Sequence, residues 1–438
     1  MSRARLVSLY TAAVFFFWIF FSGIFMGAGG LGLSGSIAFI GLMWSPLLVM
    51  PAMLALRARP AALFAFFAFI GFAALSLLWS PYDRPDQAVK LILLTPFFLL
   101  VPFGIARLDD RWRTRLAVFT AIISVLVAVF FLAESLLGAP VSQFVQVNVN
   151  GETPGSEALA FAKRVLSRGA SAFILLAGPM AIWLWRAGRR APAGVLGLSA
   201  ALSAVSFGVE ANIVALIAGS ALGAAAFLKP QKVLPAVFYA GAGLVVLTPL
   251  LLGAIVAWTP ESVANALPLS WHQRLEIWTY ALSRLPEAPL FGHGLDASRV
   301  IDAEMMLRGY TLNLMPLHPH NGALHIWLET GAVGAGLAVA ALLLTGRSLA
   351  RSPLDPALAA GIAFSASAWF VLTMLGYGVW QEWHHGALIL AIAACFFLRP
   401  GSEASSGPGP VPALESGPEL TPGLTPELGP EPDKAGPA

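Results

Sequence analysis

The chain has 438 residues, 58% of them hydrophobic and 11% charged, with a net charge of +3 at neutral pH. Soluble domains carry roughly a quarter charged residues, so this balance and a mean hydropathy of +0.77 exclude a soluble domain and imply a polytopic membrane protein. The single cysteine, Cys395, excludes disulfides and multi-cysteine metal sites.

A spanning helix needs roughly 20 apolar residues. In chain order, the apolar runs predict helices at 8–28, 36–56, 61–79, 89–106, 116–137, 169–185, 192–208, 210–228, 233–257, 321–344, 356–378 and 386–399. The fold class is therefore an all-α polytopic membrane protein of about 12 transmembrane helices. The first run is longer than a signal-peptide core and reads as an uncleaved span. Most of the 26 Lys and Arg residues fall on one side of this plan, including Arg111, Arg113, Arg115, Arg186, Arg189, Arg190, Lys229, Lys232, Arg347 and Arg351. By the positive-inside rule that side is cytoplasmic, as are both termini. The spans and their loops make a membrane domain at 1–399. Residues 400–438 are rich in Pro, Gly, Glu and Ser, cannot bury a core, and are expected to form a disordered cytoplasmic tail.

Two long loops, 138–168 and 258–320, then lie outside. The first ends in "AKRVLSRGASAF" (162–173), which places Arg168 where a span starts and Arg164 one helical turn before it. Outside the membrane, topology does not require arginine. These side chains read either as headgroup anchors or as a phosphate clamp, since a guanidinium presents a planar fork of donors. In the second loop, "WHQRLEIWTYALSRL" (271–285) has helical period, with Trp271, Leu275, Trp278, Ala281, Leu282 and Leu285 on one stripe. His272, Gln273, Glu276, Ser283 and Arg284 fall largely off it. Arg274 lies inside the apolar arc, either snorkelling or turned toward an anionic ligand.

The tenth span opens with "HPHNGALHIWLETGAVGAG" (318–336). His325 and Glu329 are four apart and share a helix face. Gly331 and Gly334 suit close helix approach. The proline between His318 and His320 disfavours the i, i+4 histidine pair of helical zinc sites, so no metal is expected. Glu210 either faces a central cavity or caps its helix. "WQEWHH" (380–385) reads as a loop with interfacial tryptophans. The chain has no D-x-D and no Walker loop, and nothing in it points to nucleic acid.

His320-Asn321, nine residues, then Gly331-x-x-Gly334 resembles the signature of the O-antigen ligase/polymerase superfamily of membrane glycosyltransferases. Arg274, Trp278, Pro289, Gly292 and Gly294 are similar to that family's preceding block, and Arg168 to an upstream arginine that opens a span. The segment Ser171-Ala-Phe173 departs from a Gly/Asn/Pro-rich stretch found in many relatives, leaving Arg164 as the alternative. The resemblance implies a GT-C-like bundle with a large, partly helical periplasmic loop before the tenth helix, in the bacterial inner membrane. It implies O-antigen ligation in lipopolysaccharide biosynthesis: transfer of a glycan from undecaprenyl pyrophosphate to lipid A–core. The same residues leave open a polymerase or a related cell-envelope glycan transferase.

Such a transfer needs no cofactor, because the pyrophosphate bond is already activated. The leaving diphosphate needs positive charge in a partly dry site, and the acceptor hydroxyl needs a base, which an imidazole supplies near neutral pH. The resemblance thus implies His320 as general base and Arg168, Arg274 or Arg164 on the pyrophosphate. Asn321, His318, Trp278, Gly331 and Gly334 would support them, in a metal-independent, inverting displacement. A different class, a transporter of a lipid-linked or anionic solute, would use Glu329 and His325 as a proton relay. Against it, no broken helix or internal repeat is visible in the sequence.

Overall fold

The computed structural model describes residues 3–56, 60–301 and 303–400. The expected tail beyond Pro400 lies outside the described residues, as do Arg57 and Arg59, two of the basic residues expected on the cytoplasmic side.

Every expected span is a helix. The elements are α1 (Arg3–Gly27), α2 (Gly32–Leu56), α3 (Ala61–Leu75), α4 (Asp86–Ile105), α5 (Asp110–Leu137), α6 (Pro140–Asn148), α7 (Ser156–Arg186), α8 (Arg190–Ser206), α9 (Glu210–Leu228), α10 (Pro230–Trp258), α11 (Glu261–Ala266), α12 (Leu269–Arg284), α13 (Gly322–Ala350), α14 (Pro356–Leu375) and α15 (Glu382–Phe396). Among the described residues, ten are long and apolar enough to cross a membrane, so the chain is a multi-pass membrane protein. The exceptions among the expected spans, α8 and α15, are helical but only 17 and 15 residues long.

Helix ends follow local chemistry. Asp109 caps α5 through the Trp112 amide, and Asp355 caps α14 through the amides of Ala357 and Leu358. The α8–α9 junction turns at Gly208, as a left-handed residue allows. Helix α7 runs through the bundle with much of its length buried, packed on α8, α14 and α15, while α13 lies between α10 and α3.

Three expectations are corrected here. The span placed at 169–185 begins at Ser156, because "SEALAFAKRVLSR" is amphipathic and continues the helix upstream of the apolar run. Arg168 therefore sits well inside α7 and does not open a span, and the preceding loop shrinks to 138–155. Part of that loop is α6, whose start is held by Glu134: its buried carboxylate accepts from the Val141 and Ser142 amides, each at 3.0 Å.

The second correction concerns α13, which is broken. Gly331 has φ 60° and ψ −162°, a conformation that a residue with a Cβ adopts only under strain. The break turns the Leu328 and Glu329 carbonyls toward the 289–294 segment, where the His293 and Gly294 amides donate to them at 2.9 and 2.8 Å. In return the Ala332 and Val333 amides donate to the Pro289 and Leu290 carbonyls, each at 3.0 Å. A Cβ on Gly331 would fall on the Gly292 amide and the Leu290 carbonyl. The glycine permits close approach of a loop, not of a second helix. Non-helical backbone near a bilayer needs such full pairing.

Loop 258–320 is partly helical, as expected, and the third correction concerns its His272. Besides α11 and α12 the loop holds an antiparallel hairpin, β1 (Glu304–Leu307) with β2 (Tyr310–Asn313), in which Leu307 pairs with Tyr310. Arg308 and Gly309 both have positive φ, the two-residue turn that matches strand twist. Arg308 then reaches the carbonyls of Ala264, Asn265 and Leu267 and Nδ1 of His272, at 2.7–3.0 Å. His272 is thereby buried, although its place off the apolar stripe suggested a polar face.

Candidate functional site

The site forms where the start of α13, helix α12, a buried turn of α7, the first turn of α9 and the segment between α14 and α15 converge. Asn321 accepts from the Leu324 amide at 2.8 Å and so caps α13. His320, just before it, has φ 51°, unusual for a residue with a side chain. Its Nδ1 lies 3.0 Å from the Gly376 carbonyl. A carbonyl can only accept, so Nδ1 carries the proton and Nε2 keeps its lone pair. Nε2 has no hydrogen-bond partner among the described residues. Burial holds the imidazole below its ordinary pKa, and the neighbouring Arg274 charge pushes the same way, against the Gly376 bond. At neutral pH His320 is therefore uncharged.

His318 is buried beneath it. Its Nδ1 accepts from the His320 amide at 3.1 Å, so its Nε2–H must donate. That nitrogen lies 3.0 Å from the Gln381 amide, which pairs when its oxygen faces His318. Burial holds His318 well below its ordinary pKa, so it supports the loop as a neutral hydrogen-bonding group. Trp278 closes the turn from the other side, its Nε1 donating to the Pro319 carbonyl at 3.1 Å.

Arg274 projects from α12 with its guanidinium 4.9 Å over the Trp271 ring. Its Nε is buried without a hydrogen-bond partner among the described residues, and Nη1 reaches only the Ser270 carbonyl at 3.4 Å. Burial lowers its pKa and the charge of Glu210 raises it. Arg168 is half-buried on α7, its Nε likewise unpartnered. One turn further along α7, Ser171 Oγ meets the Tyr377 hydroxyl at 2.8 Å and Asn212 Oδ1 at 2.6 Å. Asn212 Nδ2 donates to the Ser167 carbonyl at 3.2 Å. Burial raises Tyr377 to about 12, so it stays protonated beside the Arg168 charge. Arg164, by contrast, is exposed and lies over Phe161 at 5.2 Å, away from this network.

The site's supporting centre is Glu329, fully buried on α13. Its Oε2 accepts from the Trp380 indole at 2.7 Å and the Asp296 amide at 2.8 Å, and Oε1 accepts from the Ser298 amide at 3.1 Å. His325 Nε2 is 3.0 Å from Oε1 but poorly aligned for a hydrogen bond. His325 Nδ1 accepts from the Val379 amide at 3.2 Å. Among the described residues, no group of His, Cys, Asp and Glu side chains has a metal-binding arrangement.

Of the residues singled out in the sequence, the structure joins His318, His320, Asn321, Trp278 and Arg274 around one turn, and Arg168 through Ser171 and Tyr377. Gly331 and Gly334 lie deeper, at the helix break. Segment 376–381, of which the first three residues were expected to end a span and the last two to begin a loop with interfacial tryptophans, is instead the floor of the site. It supplies the Gly376 carbonyl, the Tyr377 hydroxyl, the Val379 amide, the Trp380 indole and the Gln381 amide. Its polar density just before a span was the signal, as was Asn212, a polar residue in the apolar run of α9.

These features define a class: a multi-pass helical membrane protein with an uncharged, base-competent histidine, flanking arginines and a docked loop at one end of its bundle. Residues 158–339, under half of the chain, match the family model described as O-antigen ligase. Its span takes in Arg168, Arg274, His320 and Glu329. The chain is also similar to relatives that carry the name "Putative polysaccharide ligase". The identity is 31% over 114 residues in Rickettsia typhi, 32% over 114 residues in Rickettsia bellii and 33% over 116 residues in Rickettsia conorii. Each match covers 25% of this chain and 28% of the relative, little more than a quarter of the relatives' length.

Proposed function

We propose that the protein is an O-antigen ligase: a metal-independent, inverting glycosyltransferase that moves a glycan from undecaprenyl pyrophosphate to lipid A–core at the periplasmic face of the inner membrane. The observation that carries this reading is the unpartnered Nε2 of His320 beside Arg274, within the segment matched to the ligase family. The acceptor hydroxyl attacks the anomeric carbon as its proton passes to His320 Nε2. The bond from that carbon to the pyrophosphate oxygen breaks on the opposite face, and the diphosphate leaves with the electron pair. Arg274 and Arg168 hold that charge: both guanidinium groups are partly desolvated and short of partners, as a phosphate fork requires. The membrane itself accommodates the polyprenyl tail. Arg164 is too exposed to share the role equally.

Purified protein should be incubated with lipid-linked glycan, with and without lipid A–core. Product only when core is present supports ligation, and lengthening of the glycan alone supports polymerisation. A second reading, transport of a lipid-linked or anionic solute, gains one observation from the break in α13, since discontinuous helices often line transport sites. Here, however, the freed carbonyls are taken up by the docked loop. Flux across liposomes without any acceptor would favour transport.

A further inference from the structure

The first turn of α9 is wedged between the two halves of the site. Ala211 packs against Gly376, whose carbonyl holds His320. The Asn212 side chain is bonded to Ser171 and to the Ser167 carbonyl, on the turn of α7 that carries Arg168. Glu210 begins this turn and is partly exposed. No hydrogen bond or ion pair engages its carboxylate among the described residues, although Arg274 feels its charge. The turn that bridges the two halves of the site therefore opens with a carboxylate that closes no ion pair among the described residues.

A carboxylate here is a poor neighbour for a diphosphate, because like charges repel. It is a good neighbour for a neutral sugar, since its two oxygens accept charge-assisted hydrogen bonds from hydroxyl groups. We infer that Glu210 is a substrate-binding residue that recognises hydroxyl groups of the acceptor sugar beside His320. This rests on the ligase reading and adds the residue that selects the acceptor. The simpler role of an acidic residue at a helix start, favourable interaction with the helix dipole, would affect stability without distinguishing the two substrates.

The test is steady-state transfer by Glu210→Gln and Glu210→Ala, varying lipid-linked donor and lipid A–core separately, with thermal melting of each variant in detergent. The expected result is a rise of about tenfold or more in the acceptor KM, as for loss of a hydrogen bond to a charged group, with the donor KM unchanged. Glu210→Gln, which keeps one acceptor oxygen, should show the smaller rise. An altered donor KM with an unchanged acceptor KM would make Glu210 a counter-charge of the clamp and overturn the inference. A lowered melting temperature with both KM values intact would reduce it to a helix-start acid and also overturn it. If the parent protein transfers no glycan to core, both the ligase reading and this inference fall; if it does and the variants keep its acceptor KM, only Glu210 does.

Discussion

His320 and Glu329 stand nine positions apart on one stretch of chain, and they are treated in opposite ways. Every contact of Glu329 is filled: its carboxylate is sealed from solvent and receives two backbone amides and an indole. His320 is fixed at one ring nitrogen and left open at the other, on a backbone held at φ 51°. Saturation marks a group that holds segments together, while an unspent lone pair on a constrained residue is what the proposed general base requires. Arg274 and Arg168 follow the His320 pattern, and Asn321 and Trp278 follow that of Glu329.

The largest test of this contrast is His320→Ala, which should cut transfer by about 10²–10⁴-fold, as removal of a general base does, with the melting temperature close to the parent's. A variant that still transfers glycan at the parent rate would end the assignment. Glu329→Ala should do the reverse to stability. Each donor left without a partner costs about 1–3 kcal/mol, so thermal melting should fall sharply, and limited proteolysis should open the 289–299 segment. Gly331→Val should resemble it, because the Cβ collides with the docked loop as well as straining φ.

The next effect is on pH. A general base at His320, as proposed, must be unprotonated to act, so kcat/KM should fall as pH drops through its pKa, which burial and Arg274 place below the ordinary histidine value. Arg274→Gln removes a repelling cation and lets the imidazolium form more easily. The acid limb of its pH profile should therefore move to higher pH; a limb that stays in place would mean that Arg274 does not face His320 in solution. The smallest effect should come from Tyr377→Phe, which deletes one hydroxyl from the Ser171 network. A net hydrogen bond is worth about 1 kcal/mol, so transfer should drop no more than about tenfold, with the loss appearing chiefly in donor KM.

Much of this was legible in the sequence, for a physical reason. Bilayer thickness fixes the length of an apolar run, so all expected spans recur as helices, down to the α8–α9 division at Gly208. The spacing from His320 to Gly334 was legible too, because one segment carries it. What escaped depends on distant pairing. Gly376 lies 56 positions from His320 and carries no side chain to advertise its carbonyl. Gly331 reads the same whether it admits a neighbouring helix or breaks its own, and only the partner, segment 289–294, decides. The start of α7 was missed because its first turns are amphipathic, and a search for apolar runs cannot see them.

The break in α13 also bears on how the protein assembles. The piece above Gly331 runs from Gly322 to Thr330, shorter than the dozen or so residues a helix needs to persist alone in water. Its coiling depends on the strap 289–298 already lying against it, and that strap comes from a loop that must first traverse α11, α12 and the hairpin. The turn that carries His320 is thus held by pairing with segment 289–298 and not by its own helix alone.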